Sequence, residues 1–583
     1  MTSYDTAFAS RADLEQYGSN ALLMFALELR FGLEDIHTVA ADALTDGSDD
    51  KKCDLIFVDL DEGVAVVAQG FQAADPSKKE APANKASDLN TAAGWLLSRD
   101  VNDLPARIRP AAIQLRSALE DGQIQTIHFW YVHNLPESPN VSSELETVQR
   151  NAYAGLRHLL GAAAKVPDVT AVEVGRGQLD EWYKTRTTPI LVTDQLSVSV
   201  PGGYEIESTD WSAYVTAVPA KWLYTLFEKY KDELFSANVR GYLGSRKADA
   251  NINSGIKSTA GGDPVHFWVY NNGLTILTHK FEYNSDDKEL VVTGLSIVNG
   301  AQTTGAIGSL DATPDDSAMV PARFVRCQSG EVVTRIIKYN NSQNQVEAPD
   351  FRSGDEVQRR LREEFRSVPS VTYLGGRRGG YEDRIKRPPN LLPSDTAGQA
   401  LASFHGDPVV AYNEKSRIWV SDTLYSRYFS ERTTARHIVF AYSLLRSVEE
   451  KKRLLAVAGK EELTEKQEKV LQFFRNRGAT FLLTAAIGSA LETVVGRPIP
   501  DRFALAFKGN LAPQDAVELW TPIVTVATAF TDRLVPAVER GLKSAELVSS
   551  AVSDFSSFMD ATGEANRTVY DTFAKHLDLR VRR

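Results

Sequence analysis

Apolar and polar positions alternate along this chain with several different periods, and each period predicts its own element. Residues 12–31, ADLEQYGSNALLMFALELRF, place apolar side chains at helical spacing and predict an opening helix. A polar turn (TDGSDDKKC) leads into DLIFVDL, DEG makes the next turn, and the β-branched run VAVVAQGF follows, so two strands in a hairpin are expected. After the loop 72–84 comes a helix from Ser87 to about Leu97, and QTIHFWYVH (125–133) reads as a third, buried strand. Short strands (VTAVEVG, PILVTDQLSVSV) and the helix PAKWLYTLFEKYKDELF fill 166–230 and just beyond. Between 235 and 365 the apolar runs FWVY, LTIL, LVVTGLSIV and ARFVRC alternate with glycine and asparagine, predicting mostly strand, before the helix DEVQRRLREEF. From about 431 the spacing becomes helical and stays so, as in HIVFAYSLLRSV and KVLQFFRNRGATFLLTAAIGSAL. The fold class expected is a multidomain α/β protein: a small α/β unit over 1–165, an α/β connecting region over 166–230, a mixed β-rich core over 231–430 and a helical unit over 431–583.

Composition narrows the class. A chain of 583 residues is too long for one core, and 43% hydrophobic with 24% charged residues is a globular profile. No apolar run is long enough to span a bilayer, so no membrane partner is expected. The N-terminus lacks a basic start before an apolar block, and two cysteines cannot build a disulfide framework or a four-thiolate zinc site, which makes a cytoplasmic location the simplest expectation. A net charge of −11 argues against broad non-specific nucleic-acid affinity but leaves room for a local basic groove. The segment 373–387, YLGGRRGGYEDRIKR, carries five basic residues against two acidic ones; Arg377, Arg378 and Arg384, interleaved with tyrosine and glycine, are candidates for nucleic-acid contact or part of a solvated loop. The sequence leaves a homo-oligomer open.

Three positions in the first unit suggest chemistry. Glu28 on the opening helix, Asp54 at the start of the hairpin and Gln69 near its end, spaced by 26 and 15 residues, resemble the layout of restriction-endonuclease-like (PD-(D/E)xK) nucleases. That resemblance implies Mg²⁺ held by Asp54 and Glu28, with a lysine that orients the attacking water. Phe71 occupies the lysine's position, and a phenylalanine can neither donate a proton nor stabilise an oxyanion. Lys78, Lys79 or Lys85 could substitute from the following loop and helix, with Lys85 the expected catalytic lysine; otherwise the domain is a catalytically silent scaffold, with Asp54 no more than a turn residue.

The central block has a sharper signature. FSANVRGYLGSRKADANINSGIKSTAGGDPVHFWVYNNGLTIL, then SIVNGAQTTGAI, then KYNNSQNQVEAPDFRS, resembles over roughly 230–405 the AIPR family, the abortive phage infection proteins of bacteria. The resemblance implies phage defence, often alongside an N-terminal nuclease-like domain, and so a phage-derived trigger or a defence-system partner. Chemically, Asn238, Arg240, Asn251, Asn271, Asn272, Asn299, Gln302, Asn340, Asn341 and Asn344 are a set rich in carboxamides. Carboxamides donate and accept without charge, so they read base edges, ribose hydroxyls or peptide groups rather than activate water. Arg240 is the expected phosphate or carboxylate clamp. The bland alternative is that these amides cap turns and pin a β-rich core. NGAQTTGAI and the later NNSQNQVEAPDF also loosely resemble two boxes of ParB/sulfiredoxin-like nucleotide-binding folds, in which a strand ends in a polar turn that opens a helix; the paired arginines of the first box are replaced here by Gln302 and Thr303. NNG and NGAQT are therefore expected to be two walls of one pocket that binds nucleic acid or a nucleotide, with an interaction scaffold that senses a phage component as the competing function.

Overall fold

The computed structural model describes residues 4–578 apart from 46, 48, 162–163, 188–189, 191, 236–246, 311, 328–331, 334–335, 338–339, 341–351, 353–354, 376–389, 459–462 and 540. Its architecture is mixed, with two sheets ahead of a helical C-terminal third. Asn238, Arg240, Asn341, Asn344, Arg377, Arg378 and Arg384 lie outside the described residues, and Asn251 contributes only its helical backbone. No described helix is long and apolar enough to cross a membrane.

The first sheet runs in the order β1 (Leu55–Asp59), β2 (Val64–Phe71), β3 (Thr126–His133), β4 (Asp168–Val174). The β1–β2 hairpin is antiparallel, and β2–β3 and β3–β4 are parallel, each crossing over through helices. Strict alternation along β2 divides the core in two. Val64, Val66 and Ala68 face the helix Ala21–Phe31, while Ala65 and Val67 face the helices Leu89–Ser98, Arg109–Glu120 and Pro139–Leu160. The Ala21–Phe31 helix is buried from Ala21 to Leu29, so it is apolar nearly all round. The single opening helix expected over 12–31 is two pieces: Ala12–Asn20 is a tighter 3₁₀ turn, and Gly18 at φ +53° breaks the path before the α-helix begins. β4 closes this first sheet beyond residue 165, and β5 (Val192–Ser199) opens the second, so 166–230 divides between its neighbours instead of forming a unit.

The second sheet orders β5, β10 (Glu289–Asn299), β8 (Leu274–Thr278), β11 (Met319–Cys327), β7 (Trp211–Pro219) and β6 (Tyr204–Glu207), with β9 (Lys280–Asn284) also paired to β10. β8 and β11 run parallel; the other pairs are antiparallel. Helices Ala220–Tyr230, Lys247–Gly262 and Ala301–Gly308 cover one face through Leu223, Ile256 and Ile307. The FWVY run, expected as strand, is a single helical turn, Phe267–Tyr270: Phe267 is fully buried, while Trp268, Val269 and Tyr270 are 52%, 64% and 64% exposed. Anchoring one ring and exposing three side chains is what a helical turn lying on a surface does, and a sheet-core strand would have buried alternate residues instead.

The helical unit begins earlier than 431. A single core cluster runs from Leu361 to Leu577 and takes in the helices Glu356–Phe365 and Ser394–Phe404. It joins the first unit through a buried polar seam. Arg446 pairs with Asp35 and, at 2.6 Å, with Glu449; Thr38 donates to Glu449 (3.0 Å); Tyr412 donates to Asp42 (2.8 Å); and Arg477 caps the Ile56 carbonyl (2.8 Å). Buried charges of this kind are stable only when every partner is present.

Candidate functional site: a polar cleft at the end of the central sheet

Strand polarity decides whether the two Asn-Gly stretches meet. β8 and β10 are antiparallel, so the start of one lies beside the end of the other, and Asn299 pairs directly with Thr275. β11, parallel to β8, brings Arg323 opposite Thr275. Asn299, Thr275 and Arg323 therefore form one row across three strands, spanning about 10 Å at the usual interstrand spacing.

Two glycines make this edge tight. Gly273 lets the chain turn against β11, where a Cβ would lie 2.7 Å from the Pro321 carbonyl oxygen. Gly300 adopts φ +99° between the end of β10 and the helix Ala301–Gly308, and a Cβ there would meet Leu274 Cδ2 at 2.2 Å. The polar turn that opens a helix is thus present. Thr304 N–H makes the first bond back to the Gly300 carbonyl (2.9 Å), so the amide groups of 301–303 precede the helical ladder.

These elements enclose a cleft of about 800 Å³, lined by Asn271, Asn272, Thr275, Asn299, Gln302, Arg323 and, at its aromatic rim, Trp268 and Tyr270, among others. Asn271, Asn272, Asn299 and Gln302 were expected there from sequence. Asn340 joins them indirectly: its Oδ1 accepts from Arg323 (2.9 Å) and from Thr275 Oγ1 (3.1 Å), while its Nδ2 donates to the Ile336 carbonyl (2.9 Å). Asn271 Nδ2 donates to the Phe267 carbonyl (3.1 Å), so this amide also closes the FWVY turn, as the bland reading required. Asn272 is exposed and Gln302 half-buried.

Arg323 is the residue that sequence reasoning missed. Its Nε donates to Thr275 Oγ1 at 2.7 Å and a terminal nitrogen to Asn340, which fixes the plane of the guanidinium. Among the described lining residues it is the charged one and no carboxylate accompanies it, in a chain of net charge −11. An oriented guanidinium, several carboxamides and a helix start form a surface suited to an anion.

The nuclease-like trio does not converge. Asp54 Oδ2 accepts the Gly70 N–H at 2.7 Å and lies toward Asn20, since a Cβ at Gly70 would sit 3.7 Å from that oxygen and 3.6 Å from Asn20 Oδ1. Glu28 Oε1 takes Arg11 at 2.7 Å, and Arg11 in turn holds Asp13 at 2.8 Å. Gln69 follows Ala65 and Val67 in the alternation of β2, so it points to the opposite face of the sheet from the helix that carries Glu28; it is 4% exposed. Phe71 packs in that same cluster, as do Ala81 and Ala86, which keeps half-buried Lys85 on Gln69's side; Lys78 and Lys79 are exposed. Glu28 Oε2 and Gln69 Oε1 are each buried without a hydrogen-bond partner, but on opposite faces they cannot share an ion. Among the described residues no group of three His, Cys, Asp or Glu side chains could hold a metal. The residues present do not fit Mg²⁺ as the resemblance implied, because one carboxylate is neutralised by arginine and the amide faces away.

Comparison with known proteins bears on the cleft. Residues 235–491 match the family model described as AIPR protein. The AIPR match starts just ahead of the helix Lys247–Gly262, takes in β8–β11 and every cleft residue on them, and runs on into the helical unit as far as the helix Ala479–Ser489 and the two residues after it. It leaves the first sheet outside. No curated protein and no solved structure matches the chain.

Proposed function

We propose that this protein acts in phage defence of the abortive-infection kind, and that it does so by recognising a nucleic acid or nucleotide in the central cleft. The AIPR match over 235–491 supports the defence role. The observation that carries the recognition reading is the cleft itself, with its carboxamides and pre-oriented Arg323 facing a space with no described carboxylate. The first sheet is proposed to be a nuclease-like fold that serves as a scaffold and cuts nothing: the hairpin-then-parallel strand order favours the likeness, and the Arg11–Glu28 pair and the inward Gln69 argue against cleavage. The test is plaque formation on cells expressing the full chain. Gln302→Ala and Asn272→Ala should abolish protection and Asp54→Ala should leave it intact; protection that survives in both cleft variants sinks the reading, and loss with Asp54→Ala sinks the scaffold assignment.

A second reading, a sensor that binds a phage protein, draws on the exposed Val265 and Val269 beside the cleft. Such a partner would dock on the apolar rim and leave Gln302 and Arg323 untouched.

A further inference from the structure

The rim of the cleft is aromatic, and the carboxamide reading does not account for it. Phe267, fully buried, anchors the helical turn; Trp268 and Tyr270, more than half exposed, both line the cleft. Trp268 stands 52% exposed, whereas Trp130, Trp419 and Trp520 are less than 2% exposed. The Tyr270 ring is held from behind: His266 stacks on it with centroids 5.5 Å apart and planes 21° apart, and His266 is itself fixed by Asp263 through a 2.6 Å bond from Nδ1. Backed rings of this kind are preformed surfaces that lose little freedom on binding. Arg323, held by Thr275 and Asn340, lines the same cleft.

From this juxtaposition we infer that the cleft binds a nucleoside phosphate, with the base stacked on Trp268 and Tyr270 and the phosphate on Arg323. The inference rests on the reading of the cleft as the site that recognises a nucleic acid or nucleotide, and adds which side chains take the base and which takes the phosphate. Stacking accepts any base because every base has a π face, whereas Asn272, Asn299 and Gln302 supply donors and acceptors for ribose hydroxyls or a base edge. A methyl-rich or acidic peptide would use one half of this arrangement. A nucleoside phosphate uses both.

The chemistry is common to a free nucleotide and to a nucleotide within a single strand, so the experiment separates them. Calorimetric titration of the full chain would use adenosine 5′-monophosphate, a ten-residue oligoadenylate, and ribose 5-phosphate as the base-free control. Both base-containing probes should bind more tightly than ribose phosphate. Trp268→Ala should weaken them at least tenfold without changing the ribose phosphate value, and Trp268→Phe should restore most of the loss. Arg323→Ala should weaken all three. Equal affinity for monophosphate and oligomer assigns the free nucleotide, and preference for the oligomer assigns a strand. Failure of both base-containing probes to bind overturns the inference. Binding that depends on Arg323 but not on Trp268 overturns base stacking and leaves the recognition reading standing, whereas that reading falls if cells carrying Gln302→Ala and cells carrying Asn272→Ala both stay protected.

Discussion

Two arginines divide this molecule. Arg11, in the first unit, is 5% exposed and committed to Glu28 and Asp13, so the Glu28 carboxylate is neutralised inside the fold. Arg323, in the central sheet, is exposed and bonded to a hydroxyl and a carboxamide, neither of which cancels its charge. Both sites contain polar side chains in motif-like order. The difference is where a counter-charge lies: two carboxylates of the chain meet Arg11, whereas the described hydrogen-bond partners of Arg323 are uncharged. Motif spacing alone does not distinguish these cases, because it says nothing of which neighbour reaches a charge first.

The contrast can be broken by removing each arginine. Arg11→Ala should destabilise the first unit by about 3–5 kcal/mol in urea unfolding, since Glu28 is left buried and unpaired. Arg323→Ala should weaken binding of a phosphodiester ligand by about 1.5–3 kcal/mol, the scale of charged hydrogen bonds, and affect stability less than Arg11→Ala does. Similar stability losses in the two variants would erase the distinction.

Acid sharpens it further. His437 donates from Nδ1 to the Leu505 carbonyl (2.8 Å) and faces His405, nitrogen to nitrogen, at 3.0 Å. Burial pushes His437 down to about 4, and burial with the neighbouring positive groups pushes His405 to about 2. Unfolded, each would protonate near 6.5. Their contribution to stability is therefore complete above about pH 6.5 and falls as the pH drops toward 4, by about 1.4 kcal/mol per pH unit for each. The helical unit should lose stability measurably between pH 7 and 5. The cleft lining holds neither histidine nor carboxylate among its described residues, so oligonucleotide affinity should stay nearly flat from pH 8 to 5.5 while the protein remains folded. A steep binding profile there would contradict a cleft whose charge comes from Arg323. The smallest effect expected is that of Mg²⁺, which should raise the thermal midpoint by less than about 1 °C at millimolar concentration and produce no plasmid nicking in wild type or Phe71→Lys. A saturable rise of several degrees would mean that Asp54 does hold a metal.

Much of this was legible in the chain. The β1–β2 hairpin, β3 and the long helices follow from alternation and helical spacing, and NNG meets NGAQT because NNG leads into β8 while NGAQT begins at the end of β10, its antiparallel neighbour. The FWVY turn misled because four consecutive apolar residues carry no period; exposure of Trp268 and Tyr270 is set by where Phe267 finds its pocket, a tertiary fact. Arg323 was hidden inside ARFVRC, where it reads as an outward strand position, and its role appears only with the parallel pairing of β8 and β11. Gln69 failed for a related reason: its face depends on the parity of β2, and a motif of Gln-x-Phe specifies spacing without specifying which side of the sheet the opening helix covers.

The claim at the centre is that the cleft's polar side chains serve a ligand and hold up little of the fold. Equilibrium urea unfolding of the double variant Asn272→Ala, Gln302→Ala addresses it most directly. The stability of this variant should lie within about 1 kcal/mol of wild type, as for surface positions that support no packing. A loss approaching that of Arg11→Ala would mean that these amides are structural and that the cleft recognises nothing through them.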